Sequence, residues 1–383
     1  MDKPTVQDIF HHFYPAYLDQ YSPSPVQAKV AHNIMNCKTG AYGANVCVCE
    51  DCGFIQIHYN SCRNRCCPMC QAVPKEMWMD ARREDVLDAP YFHLVFTVPD
   101  ILNPVIYSNQ RLLYDALYHA ASSTISELTA DPKHLGAKVG YICILHTWGS
   151  EMNFHPHIHT ILLGGGLASN NQWKDNGENF FLPIRVISKM FRGKYLEELK
   201  RLWEEDKLVF HGTAEKFRNH YTFKELLDSC YGMDWIPHCK KTFNGAQTVM
   251  KYLGKYTHRI AVSNHRIVRM DDDTVTFLVK DYRNEGQWKE LTISGVEFVR
   301  RFLMHVPPRR FVRIRHYGLL CSRTKSQKLT LCRNLLGCKK YLSKLRDMEM
   351  PEILEHLYGI KVCVCKACGG HLGKPQMKMP LRC

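Results

Sequence analysis

Apolar positions along this chain follow two periods, and the switches between them outline its elements. A spacing of three to four residues marks helices, and strict alternation marks strands. Residues 5–35 carry the helical period, broken by the Ser-Pro-Ser-Pro punctuation at Ser22–Pro25. A polar helix is expected over Pro74–Asp88, followed by a strand from Tyr91 to Val98. Val105–Leu128 reads as a helix and Val139–Thr147 as a second strand. A third strand runs from about Phe154 to the glycines Gly164–Gly166. Helical patterns then cover 185–206 and 214–230, and a further helix is expected from Gly245 to Thr257. Arg266–Val279 and Trp288–Ile293 read as a β-hairpin around Asp271–Asp273, and Lys325–Leu345 reads as helical. Strands mixed with irregularly spaced helices predict an α+β sheet domain. The expected division is a helical segment at 1–35, a cysteine-rich module at 36–75, a main domain at 90–265, a hairpin and basic region at 266–320, and a basic region with a cysteine knuckle at 321–383.

The third strand carries the candidate chemistry. His155, His157 and His159 alternate, so a strand places all three on one face of a sheet. Neutral imidazole is the commonest metal ligand, and a strand holds alternating ligands rigidly enough to leave coordination positions open.

Composition changes how the cysteines are read. No apolar run approaches the length of a membrane span, and the N-terminus lacks a basic-then-apolar leader pattern, so a cytoplasmic protein with no membrane partner is expected. In that compartment 18 cysteines read as metal ligands and reduced thiols rather than disulfides. Cys49-x-x-Cys52-Gly53 and Cys67-Pro68-Met69-Cys70 form two knuckles, which together would complete one tetrahedral Zn²⁺ site. Cys47, His58, Cys62 and Cys66 are left over and are candidates for a second, interleaved zinc. Cys365-x-x-Cys368 near the other end has no evident mate; Cys363, His371 and Cys383 are its candidate partners.

The net charge of +14 is localised. Phe298–Arg346 contains no Asp or Glu, and interleaves its arginines and lysines with aromatics. Such an excess suits a polyanion, so Arg309, Arg310, Arg313 and Arg315 are expected to contact DNA phosphates. Arg63 and Arg65 beside the cysteines would do the same. Phosphodiester chemistry at a histidine-held metal also needs a nucleophile or an activated water. Tyr252 and Tyr256 sit one helical turn apart, as do Tyr17/Tyr21 and Tyr114/Tyr118. Lys251, Lys255, His258 and Arg259 favour the first pair, because they would stabilise a phosphate.

The run His155–Gly166 resembles the HUH motif of rolling-circle nucleases. Together with Tyr59–Gln71, Tyr252–Asn264 and Val299–Leu320, it makes nearly the whole chain similar to the two-tyrosine rolling-circle insertion-sequence transposases, which carry an N-terminal transposase zinc-binding domain. Cys66 stands where that family usually has His, and Asn45 where it often has His. The resemblance implies an HUH-type antiparallel-sheet nuclease domain flanked by helices. It also implies that His157 and His159 hold Mg²⁺ or Mn²⁺, with His155 as the expected third ligand and Glu151 and Gln247 behind it. Tyr252 or Tyr256 would attack single-stranded DNA at a transposon end or target, leaving a 5′-phosphotyrosine. A zinc-dependent DNA-binding protein without catalysis, and a metal-dependent nuclease using water, are the alternatives.

Overall fold

The computed structural model describes residues 3–175, 182–235, 237–243, 254, 260–281, 284–373 and 377–379. Gln247, Tyr252, Lys255, Tyr256 and Arg259, and most of the helix expected over Gly245–Thr257, lie outside the described residues. Among those described, no helix is long and apolar enough to cross a membrane.

Helices α1 (Val6–Gln20) and α2 (Pro25–Met35) start on capping boxes, Thr5 with Asp8 and Ser24 with Gln27, and Pro25 opens α2 where its missing N–H costs nothing. The cysteine module contains a hairpin absent from the pattern reading, β1 (Ala44–Val48) with β2 (Ile55–Tyr59). Helix α3 (Ala72–Arg83) leads to β3 (Tyr91–Thr97). The helix expected over Val105–Leu128 is two, α4 (Asn103–Ser108) and α5 (Gln110–Ala130). The break is at buried Asn109, whose side chain donates to the Val105 and Val209 carbonyls and accepts from the Val209 N–H. It satisfies the backbone of a distant loop in place of continuing the helix.

Strands β4 (Lys138–Trp148) and β5 (Phe154–Leu167) pair along their length, and β6 (Trp173–Asp175) adds to the end of β5. The glycines that end the histidine strand admit this crowding. A Cβ on Gly166 would meet the Lys138 carbonyl oxygen at 2.4 Å, and one on Gly165 would meet the Trp173 ring at 2.4 Å. After α6 (Ile184–Glu204) and α7 (His220–Gly232), β7 (His238–Phe243) completes the main sheet against β3. A second antiparallel sheet follows, of β8 (Ile267–Met270), β9 (Thr274–Asp281) and β10 (Gln287–Ser294), and leads into α8 (Gly295–Met304). Strand β11 (Ile314–Gly318) returns to the main sheet beside β4, giving the order β11-β4-β5-β3-β7.

Helix α9 (Lys325–Leu336) stops at Gly337, in the left-handed region at φ +65°, short of the helix expected to Leu345. The remainder is held extended by α3: Tyr341, Ser343 and the Leu345 N–H all donate to the Asp80 carboxylate, and the Ser343 N–H donates to Glu84. Helix α10 (Met350–Tyr358) precedes the last knuckle, and β12 (Met377–Met379) pairs with β1.

The α+β class with antiparallel sheets is as expected. Alternation along β3, β4 and β5 gives the main sheet two different faces. Phe92, Leu94, Phe96, Tyr141, Cys143, Leu145, Ile158 and Leu162 face α4–α7 in the principal core. On the other face, Tyr91, Ile142, Ile144, Ile161 and Leu163 pack under Trp78 and Met79 of α3 and Leu329 and Cys332 of α9. The histidines continue this second face toward one end of the strands. There Trp148 and Met152 join a separate core formed by α1, α2, α8 and the three-stranded sheet. Residues 5–35 pack on residues 261–306 there.

Candidate metal centres

In the described residues, three groups of side chains bring possible ligand atoms within 4.8 Å of one another: His146 with His157 and His159, Cys37 with Cys62, Cys67 and Cys70, and Cys49 with Cys52, Cys365 and Cys368.

The histidine group is a product of sheet register. His157 and His159 are two apart on β5, and His146 on β4 lies directly opposite His157. All three are buried. The Nδ1–H of His157 donates to the His155 carbonyl at 2.6 Å, which leaves its Nε2 with a lone pair. His159 contacts buried His93 through Nδ1, 2.9 Å from the His93 Nε2. Burial, reinforced by His238 and His157, pushes the His93 pKa down to about 3, so His93 stays neutral. A neutral His93 with its proton on Nδ1 would accept from His159 Nδ1–H, and His159 Nε2 would then carry a lone pair. The two Nε2 atoms then stand 3.1 Å apart, with no proton required between them. Nitrogens about 2.1 Å from one ion and at right angles around it are about 3.0 Å apart. The donor set fits a divalent cation.

His155 is not in this group. It shares the face, but it lies at the half-buried start of β5 and turns its Nδ1 to Asp100, 3.3 Å away. The third imidazole is His146, which stacks on Trp148 with ring centroids 4.8 Å apart. Strand alternation could select among histidines of one strand only; the clue to His146 lay in the apolar run Val139–Thr147, where it is the one charge-capable residue at the end nearest the His motif. Glu151, on the turn after β4, accepts from Asn153 and is outside the cluster, and Gln247 lies outside the described residues.

The structure also corrects the cysteine expectation. Cys49/Cys52 and Cys67/Cys70 do not converge; each knuckle has a different partner. Cys67 and Cys70 meet Cys37, from the end of α2, and Cys62, with Cys70 Sγ 3.5 Å from Cys37 Sγ and 3.6 Å from Cys62 Sγ. The Cys62 N–H points to Cys37 Sγ and the Asn64 N–H to Cys62 Sγ, as donors do around thiolates. A disulfide needs about 2.05 Å, whereas four thiolates about 2.3 Å from a tetrahedral zinc stand about 3.8 Å apart. Hydrogen bonding to Cys62 and Cys70, then burial, pushes the Cys67 pKa up, a cost that a bound cation would reverse. Cys66 is not a ligand here. It is buried beside Arg313 and Arg65, and burial raises its pKa.

Part of the acid-free stretch is neutralised in space. Arg300 and Arg301 pair with Glu297, Arg315 with Asp115, Lys325 with Asp85 and Arg346 with Glu84. Arg315 also lies over the Tyr118 ring at 4.0 Å, and Arg313 lies 6.0 Å from the Trp148 ring, where burial lowers its pKa. Arg65 donates to the Phe311 and Pro308 carbonyls, tying the cysteine module to the turn before β11. These arginines hold the fold. Arg63, Arg309 and Arg310 remain exposed. Tyr114 and Tyr118 are buried in α5, and Tyr118 Oη accepts from the Leu145 N–H at 3.0 Å, a packing role.

The fold and its clusters define a mixed-helix, antiparallel-sheet protein with a buried histidine triad and two thiol tetrads. Residues 140–328 match the family model described as "Putative transposase", and residues 9–98 match a "Transposase zinc-binding domain". Over 369 residues the chain is 40% identical to "Putative transposase y4qJ" of Sinorhizobium fredii, covering 95% of this chain and 93% of that protein. It is 30% identical over 309 residues to the "Transposase for insertion sequence element IS801" of Pseudomonas savastanoi pv. phaseolicola, covering 79% and 72%. The chain belongs to this family of insertion-sequence transposases with an N-terminal zinc-binding domain. Among solved structures, the conjugative relaxase TrwC in complex with oriT DNA matches at 15% identity over 45% of this chain and 66% of that one, with a TM-score of 0.23, too low to establish a shared fold.

Proposed function

We propose that this transposase cleaves and rejoins single-stranded DNA at transposon ends and at its target, by a rolling-circle reaction through 5′-phosphotyrosine intermediates. The observation that carries this reading is the histidine triad, in which hydrogen bonds aim two imidazole lone pairs at one point in a chain of this family. Mg²⁺ or Mn²⁺ bound by His146, His157 and His159 would polarise the scissile phosphate and offset the charge that develops on it.

The protein side of the reaction is simple. Tyr252 or Tyr256 supplies the nucleophile: its oxygen bonds to phosphorus, the P–O3′ bond breaks, and the departing oxygen takes a proton as the phenol loses one. The new ester keeps a phosphodiester bond, so rejoining by the reverse attack of a 3′-OH needs no nucleotide cofactor. Gly254, midway along the sequence between the two tyrosines, packs against α3. A Cβ there would meet Met79 Sδ at 2.5 Å, and Met79 packs on the sheet face that carries the histidines. The second tyrosine allows a second cleavage while the first end is still held. Arg63, Arg309 and Arg310, with Lys255 and Arg259, grip DNA phosphates. The protein works in the cytoplasm, where its thiols stay reduced.

The test is a denaturing gel of protein incubated with labelled single-stranded DNA and Mn²⁺. A covalent adduct is expected, and it should vanish in the Tyr252→Phe/Tyr256→Phe double variant. Free fragments without an adduct would replace this reading with a water-using nuclease, and uncut but bound DNA would replace it with a binding protein.

A further inference from the structure

Two knuckles of this chain are built alike although more than 300 residues separate them. Cys49-Glu50-Asp51-Cys52-Gly53 and Cys365-Lys366-Ala367-Cys368-Gly369 both end on a glycine in the left-handed region, at φ +72° and +77°. In each, the glycine N–H donates to the carbonyl of the first cysteine at 3.0 Å. In each, the N–H of the first cysteine donates to a carbonyl just past the turn, Phe54 at 2.9 Å and Gly370 at 2.8 Å. The Cys67–Cys70 knuckle lacks the glycine. By local geometry, the natural mate of Cys49/Cys52 is the knuckle at 365–368.

The two face each other. Cys49 Sγ lies 3.5 Å from Cys368 Sγ, and Cys52 Sγ lies 3.8 Å from Cys365 Sγ. These are not disulfide distances, and they match the edges of a tetrahedron of thiolates about 2.3 Å from zinc. The Ala367 and Gly370 N–H groups donate to Cys365 Sγ and Cys368 Sγ, both at 3.4 Å, which favours ionised sulfur. Backbone bonds flank the junction: the Glu50 N–H donates to the His371 carbonyl and the Gly373 N–H to the Val48 carbonyl, both at 3.1 Å. Strand β12 then extends the hairpin, with Ala44 opposite Met379 and Val46 opposite Met377. Little apolar surface supports this junction: its core is Cys47, Cys49, Cys365 and Leu372.

We propose that Cys49, Cys52, Cys365 and Cys368 hold a second structural zinc ion, distinct from the one held by Cys37, Cys62, Cys67 and Cys70, and that it staples the last knuckle to the zinc-binding head. The matched zinc-binding domain, residues 9–98, then contains only half of this site's ligands. The head takes its final shape only after residue 368 has been made. Cys363 is exposed and outside the tetrad, and His371 turns its Nδ1 toward Glu50, so neither is a ligand.

Zinc analysis of the purified full chain should find two ions per chain. Cys365→Ser/Cys368→Ser should lower this to one, as should Cys67→Ser/Cys70→Ser, while Cys363→Ser keeps two. Retention of two ions by the Cys365/Cys368 variant would overturn the proposal. So would one ion in both wild type and variant, or a disulfide joining the knuckles in wild type prepared without reductant. Should the variant fail to fold, hydrogen exchange on wild type gives a second reading. Stepwise chelation should expose the amides of 47–53 and 363–373 together; loss of protection in one segment with the other unchanged would refute the staple.

Discussion

The histidine centre and the cysteine head are both candidate metal sites, but their construction is opposite. The histidines stand on neighbouring strands of the main sheet, and two of their rings are fixed by hydrogen bonds to His155 and His93. Large cores cover both faces of that sheet. Register alone therefore places these ligands, whether or not an ion is bound. The cysteines of the head come from turns and a helix end, and the apolar cluster beside one tetrad has four members. There a bound ion would supply the cohesion, whereas Cys37 and Cys67 of the other tetrad also belong to the large core with α1, α2 and α8. In one region the fold makes the site; in the other the site makes the fold.

The comparison breaks most visibly on metal removal. Structural zinc contributes about 10 kcal/mol of folding free energy in small modules. Cys67→Ser or a strong chelator should therefore unfold residues 36–72 while the main sheet stays protected from hydrogen exchange. His157→Ala/His159→Ala should do the reverse, stopping cleavage with zinc content and melting temperature nearly unchanged. Equal loss of melting temperature in the two variants would erase the distinction.

A smaller effect separates His146 from His155. Losing even an outer partner of a metal ligand costs about 10–100-fold in metal affinity or activity. His146→Ala should cost at least that in Mn²⁺-dependent cleavage, and raising the Mn²⁺ concentration should recover part of it. His155→Ala removes a ring that reaches Asp100 and should leave the Mn²⁺ dependence unchanged. The opposite ranking would restore His155 as the ligand.

These positions show what a sequence can reveal. Period-two alternation located β3, β4 and β5 and marked His157 and His159, because those signals are local. His146 was invisible because its relation to His157 is a register across strands, and register is set by the turn at 149–153 and the pairing of whole strands. The cysteine partition failed for the same reason. Spacing along the chain joined Cys49/Cys52 to the nearest knuckle, whereas folding joins each knuckle to a remote partner. The glycines after Cys52 and Cys368 were a legible hint of that mating. The basic stretch misled differently: Glu84 and Asp85, just after α3, and Asp115 of α5 pair with Arg346, Lys325 and Arg315, so part of the excess in sequence becomes pairing in space.

The mildest prediction concerns the joint between the two cores. His305, at the end of α8, is buried; its Nε2–H donates to the Met152 carbonyl at 2.9 Å, and its Nδ1 accepts from the Thr147 hydroxyl at 3.2 Å. Burial pushes its pKa down to about 4, partly opposed by the Met152 bond, with Arg300 and Arg301 pushing the same way as burial. An unfolded histidine takes its proton near pH 6.5. Between about pH 6.5 and 4 the unfolded chain thus binds the proton that the folded chain refuses, and stability falls as pH falls across that window. Glu297 acts lower. The hydrogen bonds from Arg300, then Arg301, hold its pKa down to about 2 despite burial, so its contribution is lost only below the ordinary carboxylate range. The two windows are separable. Thermal melts of wild type and His305→Gln from pH 7 to 4.5 should show a flatter pH dependence in the variant, by up to about one proton on unfolding. Parallel curves would mean that His305 titrates alike in both states, and that the joint is open enough to admit water.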